Sequence, residues 1–484
     1  MTCIMLSAGV SAYAQGYVHE GYIDTQSYVS AYAIDQLRAK GYDGQGVTIG
    51  VIDGPVDVTA PELQGADIEV KYMCDEEDTN NASELAHGTA IASILVAKDW
   101  GWVPQAKIIN YALPDGEPSV SSGFRKPPTS CRGIHPVAYA IHQALNDGVD
   151  IISMSLGESL TEFDEAAIAR AAAVDVPVIA SMGNDSRENP DASYARLSTV
   201  VGVGSINAEG YLSSFSNYGD GLTVLAFGEG ITLRSFDDSG YSTPSPGKQG
   251  TSYSAPMVTG AMAAAKSKWP DATGRQLIYS LMRTAISDSD GWTPQLGYGG
   301  MSVEGLLNTD PTTMPDTTPL LGRNGLSIEL TQADIDDYED GLTSPYYLEG
   351  DTTYIYRGTD ELIIALYPEI SQPGTSPRYA NSQATSDTDA GVPVWVWVLV
   401  GLGTVITLAI VVRFFSRNKG AGRQTLPVPA SPYAHIPPSQ ASTIPPLHAP
   451  QASPYPPSTP SPTGSASPTW PPPSAHPDQQ TPPA

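Results

Sequence analysis

Residues 250–256 read GTSYSAP and run directly into MVTGAMAAAKSKW, residues 257–269. Small residues give way to an Ala-rich pattern, so a helix starts here. Two roles are open to Ser252. As an N-cap it accepts hydrogen bonds from the free N–H groups of the first turn, with Pro256 tolerated in the opening turn. As a nucleophile it needs a base, an orienting carboxylate and an oxyanion donor supplied by other parts of the chain.

Working back from this helix, strand-like and helix-like runs alternate from about residue 45 to about residue 300. GVTIGVID, KIINYAL, DIISMSL, VPVIASMGN and STVVGVGSI read as strands, the first of them starting at Gly46. HGTAIASILVAK, PVAYAIHQALNDG, EAAIARAAAVD and SAPMVTGAMAAAKSKW read as helices. This order predicts an α/β fold, a doubly wound parallel sheet with functional groups at the carboxyl ends of its strands.

The search for a base is short because the chain has seven histidines. His435, His448 and His476 lie in a Pro-rich tail, and His19 lies in the N-terminal arm. His135 and His142 flank or occupy a helix-like segment and read as structural. His87 is predicted at the opening of a helix, with only Gly88 and Thr89 directly behind it. Asp53 ends the first apolar strand, before a Gly-Pro turn, where a charge is costly without a partner. Asn184 follows Gly183 at the end of VPVIASMG, a place from which an amide projects over a strand-end crevice. Each residue also has an ordinary reading in a cap or a turn.

Taken together, VIDGPVD, HGTAIAS, SMSLG, ASMGN and GTSYSAP resemble, in that order, the subtilisin-like serine proteases (subtilases) across about residues 40–290. The resemblance implies a sheet of the subtilisin type and hydrolysis of protein or peptide substrates. It implies Asp53 as orienter, His87 as general base and Ser252 as nucleophile, with Asn184 and the Ser252 N–H forming the oxyanion hole. It further implies that Ser155, Leu156 and Gly157 pair with the substrate backbone, and that Ala180, Ser181, Met182 and Gly183 line the pocket for the residue before the scissile bond. Two positions depart from the family pattern. Ala90 stands where a second His is frequent, and Met182 stands where a small residue is common and narrows the pocket. No cofactor is required. The acidic run 75–80, DEEDTN, is either a structural calcium loop or simply solvated.

The ends of the chain have a different composition. Residues 1–14 resemble a secretory signal ending at Ala12-Tyr13-Ala14, although no Lys or Arg precedes Arg38, so the true start is expected upstream. Residues 15–44 read as an N-terminal arm, and 45–305 as the catalytic domain. In an oxidising compartment Cys74 and Cys131 either bridge or remain buried thiols. A bridge would tether the insertion at 113–133 near the His87 edge of the cleft. Residues 306–391 read as an acidic stalk, with a small β element within YYLEGDTTYIYRGTDELIIALY. Residues 392–412 are uncharged and apolar, about 21 residues, enough for a transmembrane helix. Asp387 and Asp389 precede this run, and Arg413, Arg417, Lys419 and Arg423 follow it, which predicts a cytoplasmic C-terminal side. The Pro-rich tail 413–484 cannot bury a core and reads as disordered, a spacer or a docking segment for partners. This membrane-anchored layout resembles the mycosins, subtilases associated with type VII secretion, and so implies a secretion complex as a further partner. A net charge of −28 excludes nucleic acid as a partner.

Overall fold

A computed structural model of the chain describes residues 26–75, 82–114, 131, 134–157, 160–189, 193–237, 240–241, 245–289, 291–321 and 330–372. Among these residues seven strands form one sheet: β1 (Thr48–Asp53), β2 (Asp67–Tyr72), β3 (Lys107–Ala112), β4 (Ile151–Met154), β5 (Val178–Ser181), β6 (Val200–Ile206) and β7 (Leu222–Phe227). Their order is β2-β3-β1-β4-β5-β6-β7, and every neighbouring pair is parallel. The order reverses at β1, the kind of place where open α/β sheets leave a crevice beyond their carboxyl ends.

Ten helices accompany the described strands: α1 (Ser27–Ala31), α2 (Ile34–Ala39), α3 (Ala82–Val96), α4 (Pro136–Asn146), α5 (Glu162–Ala173), α6 (Thr251–Lys268), α7 (Gly274–Thr284), α8 (Val303–Asn308), α9 (Gln332–Glu339) and α10 (Glu361–Leu366). Alternation along the strands explains the two layers. Val51, Ile151 and Ile179 join the core that α3 and α6 cover, whereas Ile52, Ile152 and Ala180 join the one beneath α4 and α5. Both faces are apolar because both are covered, which is why β4, β5 and β6 read as continuous hydrophobic runs.

The expected N-terminal arm is part of the core where it is described. Tyr28 is fully buried, the Tyr32 ring lies 5.2 Å from that of Trp102, and the Tyr32 hydroxyl accepts from the Phe227 N–H at 3.1 Å. Gln26 exchanges two side-chain hydrogen bonds with the Thr232 backbone.

The acidic-stalk expectation for 306–391 is corrected in part. Residues 330–372 pack on α4 and α5 as α9, α10 and turns, without the predicted β element beyond an isolated bridge of Tyr356 with Ser371. The physical reason is a buried polar junction. Arg170 Nε on α5 lies 3.0 Å from Asp351 Oδ2, with both side chains almost wholly enclosed. Arg170 also donates to the His142 carbonyl and Nδ1 at 3.2 Å and to Asn146 Oδ1 at 2.7 Å. His142 therefore carries its proton on Nε2, which faces the Tyr347 carbonyl at 3.3 Å.

Burial, aided by the Arg170 charge, pushes the His142 pKa down to about 4. Between about pH 6.5 and 4 the unfolded chain therefore binds a proton that the folded chain refuses. Stability falls across that window as the medium is acidified, by about 3 kcal/mol in total. Urea midpoints measured from pH 7 to pH 4 check this, and His142→Gln flattens the slope.

Cys74 and Cys131 form a disulfide, linking the turn after β2 to the segment before α4. The predicted signal (1–14), membrane span (392–412), tail (413–484) and the acidic residues 76–80 lie outside the described residues. Among the described residues no helix is long and apolar enough to cross a membrane.

Candidate active site

Asp53 is the last residue of β1 and is 1% exposed. The turn behind it is fixed by a residue that the sequence reading passed over. Buried Asn110 on β3 accepts from the Val56 N–H at 3.1 Å and donates to the Gly54 carbonyl at 3.2 Å. Asp53 Oδ1 accepts from the Gly54 N–H at 2.8 Å and lies 2.7 Å from His87 Nδ1.

His87 stands on the second turn of α3, not at its opening, because the helix begins at Ala82. Close backbone approach brings it to Asp53. A Cβ on Gly88 would collide with the Gly54 and Pro55 carbonyls, and one on Gly54 with the Glu84 carbonyl. Thr89 locks this contact, its hydroxyl donating to the Leu85 carbonyl and accepting from the Asp57 N–H. The side chain of His87 remains 28% exposed, so its far edge opens to the crevice.

Burial works against a charge on this imidazole. The Asp53 carboxylate outweighs it by charge and hydrogen bond, with a further push from Glu84, and holds His87 above the ordinary 6.5. A protonated His87 cannot accept another proton, so its capacity to act as a base is expected to fall as pH drops through a value above 6.5. Glu84→Gln moves that value down, which an NMR titration of the His87 ring measures. For stability the sign is opposite: the charged His87–Asp53 pair supports the fold below pH 6.5, and its contribution is lost as pH rises past the raised value.

Ser252 is the second residue of α6 and is partly exposed. Pro256 lies on the second turn, not in the opening one, and having no N–H it leaves the Ser252 carbonyl without its helical partner. The Ser155 hydroxyl fills the gap, donating to that carbonyl at 2.8 Å. In return the Ser252 hydroxyl points to the Ser155 carbonyl at 3.5 Å, a long contact. The ring of Tyr253 lies 6.2 Å from the imidazole of His87, so α3 and the start of α6 meet at the crevice.

Asn184 follows β5 and is exposed. Its Oδ1 is occupied, accepting from the Thr251 N–H at 2.8 Å and the Thr251 hydroxyl at 3.0 Å, which turns the Nδ2 donor outward. Thr251 also accepts from the Gly183 N–H at 3.0 Å. Gly183 sits at φ +96°, where a Cβ would strike the Asn217 amide. Thr251 and Asn217 were not anticipated, because hydroxyl and amide residues in loops carry no distinctive spacing.

Of the residues expected to line the substrate cleft, Ser155 is buried, Leu156 is half-buried and Gly157 is exposed beyond the end of β4. Ala180 and Ser181 lie within β5 and are buried. Met182 is also buried, whereas Gly183 is half-buried. A buried carboxylate–imidazole pair, a hydroxyl at a helix start and an outward amide donor can together carry out acyl transfer.

The Subtilase family (Peptidase_S8) model matches residues 44–300. The chain is 30% identical over 256 residues to the major intracellular serine protease of Bacillus subtilis (strain 168), an alignment covering 50% of this chain and 75% of that relative. It is 27% identical over 282 residues to subtilisin DY of Bacillus licheniformis, covering 56% and 94% respectively. Among solved structures, MycP1 from the ESX-1 type VII secretion system is similar in fold, with a TM-score of 0.50 and 24% identity over 63% of this chain and 91% of that one.

Proposed function

The chain belongs to the subtilase family of serine endopeptidases, and from that premise we propose that Asp53, His87 and Ser252 hydrolyse peptide bonds with Asn184 as oxyanion donor. The observation that carries this reading is the 2.7 Å contact of His87 with the buried Asp53 carboxylate, with the His87 ring 6.2 Å from that of Tyr253 in the first turn of α6. The Ser252 hydroxyl leaves its long contact with Ser155, gives its proton to His87 Nε2 and bonds to the substrate carbonyl carbon. The oxygen of that carbonyl becomes negative between Asn184 Nδ2 and the Ser252 N–H, which as a first-turn group has no helical acceptor. His87 then protonates the leaving amine as the C–N bond breaks. Water releases the acyl group by the reverse steps. Ser155, Leu156 and Gly157 would hold the substrate backbone as an added strand.

A fluorophosphonate probe tests this reading. It labels the wild-type protein and fails to label Ser252→Ala; a label that persists in the variant removes Ser252 from the nucleophile role.

The same proposal extends to location. The apolar run 392–412 with its basic flank supports a single membrane span, with the protease body outside and the Pro-rich tail inside. Protease added to intact cells then removes the body and spares the tail, and the opposite pattern defeats the orientation. This anchored layout also supports a second reading, in which the chain stabilises a secretion complex and proteolysis is secondary. In that case Ser252→Ala leaves the phenotype of the wild type, whereas deletion of the whole chain does not.

A further inference from the structure

The loop that carries Asn184 has no apolar burial to hold it. Asn184, Asp185, Ser186 and Arg187 are all exposed, and the segment bends through two left-handed residues, Gly183 at φ +96° and Ser186 at φ +58°. For a residue with a Cβ such backbone costs on the order of 1–3 kcal/mol and persists only where neighbouring groups dictate it. Here Asn217 dictates it, 1% exposed on the connection between β6 and β7. Its Oδ1 accepts from the N–H of Asp185 at 3.0 Å and from that of Arg187 at 2.9 Å, one on either side of Ser186. Its Nδ2 donates to the Met182 carbonyl at 3.0 Å, and its backbone N–H donates to the Gly183 carbonyl at 2.9 Å. One residue thus ties down positions 182, 183, 185 and 187. An amide suits the task, because it offers one oxygen to two N–H groups and a donor to a carbonyl in a single plane.

We propose that Asn217 is a positioning residue for the reaction, fixing the backbone on both sides of Asn184 so that its Nδ2 meets the oxygen that becomes negative. The proposal rests on the reading of Asn184 as oxyanion donor. Thr251 turns the Asn184 amide through its Oδ1, but where that amide stands is set by the backbone from which it projects. A donor acts only within hydrogen-bond reach of the developing charge, and a misplacement of about 1 Å costs on the order of 10²-fold. Loosening the loop therefore weakens the transition state far more than the substrate complex.

The test is a kinetic cycle on the full chain with a peptide substrate, each variant checked by thermal melting. Asn184→Ala is expected to lower kcat by about 10²–10³-fold. Asn217→Ala is expected to lower it by about 10²-fold, with KM changed less than about threefold. Asn217→Asp keeps the acceptor for Asp185 and Arg187 and loses only the donor to Met182, so it loses only about tenfold. The deciding measurement is the double variant. Once Asn184 is alanine there is no amide to aim, so adding Asn217→Ala lowers kcat by no more than about twofold. Losses that multiply would make Asn217 a structural residue and overturn the proposal, as would a wild-type kcat in Asn217→Ala. If Asn217→Ala does not fold, the same cycle with Asn217→Asp decides, its tenfold loss vanishing or persisting beside Asn184→Ala. Failure of the underlying reading looks different: Asn184→Ala then keeps the wild-type kcat, which removes the oxyanion role from Asn184 and the positioning role from Asn217 with it.

Discussion

Ser252→Ala is expected to lower kcat for peptide hydrolysis by roughly 10⁶-fold, the scale that loss of the nucleophile has in this family. The remaining rate comes from the oxyanion donors and substrate positioning, on the order of 10³-fold over water. Folding should be almost unaffected. The backbone of residue 252 is held by the Ser155 hydroxyl through its carbonyl, and alanine keeps that carbonyl. The lost contact of Ser252 Oγ with the Ser155 carbonyl is long, and Ser252 is partly exposed. Burst titration and thermal melts of the variant check both halves. A variant that keeps more than a tenth of the activity would show that another group attacks the substrate.

Asp351→Ala is expected to destabilise the protein by about 3–5 kcal/mol, because it leaves the Arg170 guanidinium buried without its carboxylate. Tyr338 and Thr353 lose the acceptor for three hydrogen bonds at the same time. Burial pushes the Asp351 carboxyl up, but Arg170 and the hydrogen bonds from Thr353 and Tyr338 hold it below the usual carboxylate value. The stability from this group is thus present above the ordinary carboxylate range and is lost as pH falls through the lowered value. Urea unfolding measures the loss, and faster trypsin cleavage at Arg357 reports the release of residues 330–372. Replacing both partners by apolar residues of similar size, Arg170→Met with Asp351→Leu, should recover most of the stability, since no charge is then stranded.

How far the sequence was legible depends on the kind of signal. β1, β3, β4, β5 and β6 are runs of Val and Ile bounded by turn residues, and covering both faces of the sheet made them stand out. β2, DIEVKY, was missed because it is an edge strand with alternating charges. β7, LTVLAF, was missed although it is wholly buried. The candidate residues Asp53, His87, Asn184 and Ser252 stood out because short motifs surround them. The groups that aim them, Asn110, Thr251 and Asn217, act through contacts between distant segments and leave no local trace. Residues 330–372 were misread for the same reason. Their many carboxylates suggested a solvated stalk, while one pairing of Asp351 with Arg170, 181 positions away, and a group of tyrosines fasten the segment down.

The bridge between Cys74 and Cys131 closes a loop over a sequence separation of 57 and narrows the unfolded ensemble by about 4 kcal/mol. A polypeptide made where glutathione keeps sulfur reduced lacks that contribution. The enzyme therefore acquires its full durability only after oxidation. A production host with a reducing interior would deliver material with its chemistry intact but a shortened working life.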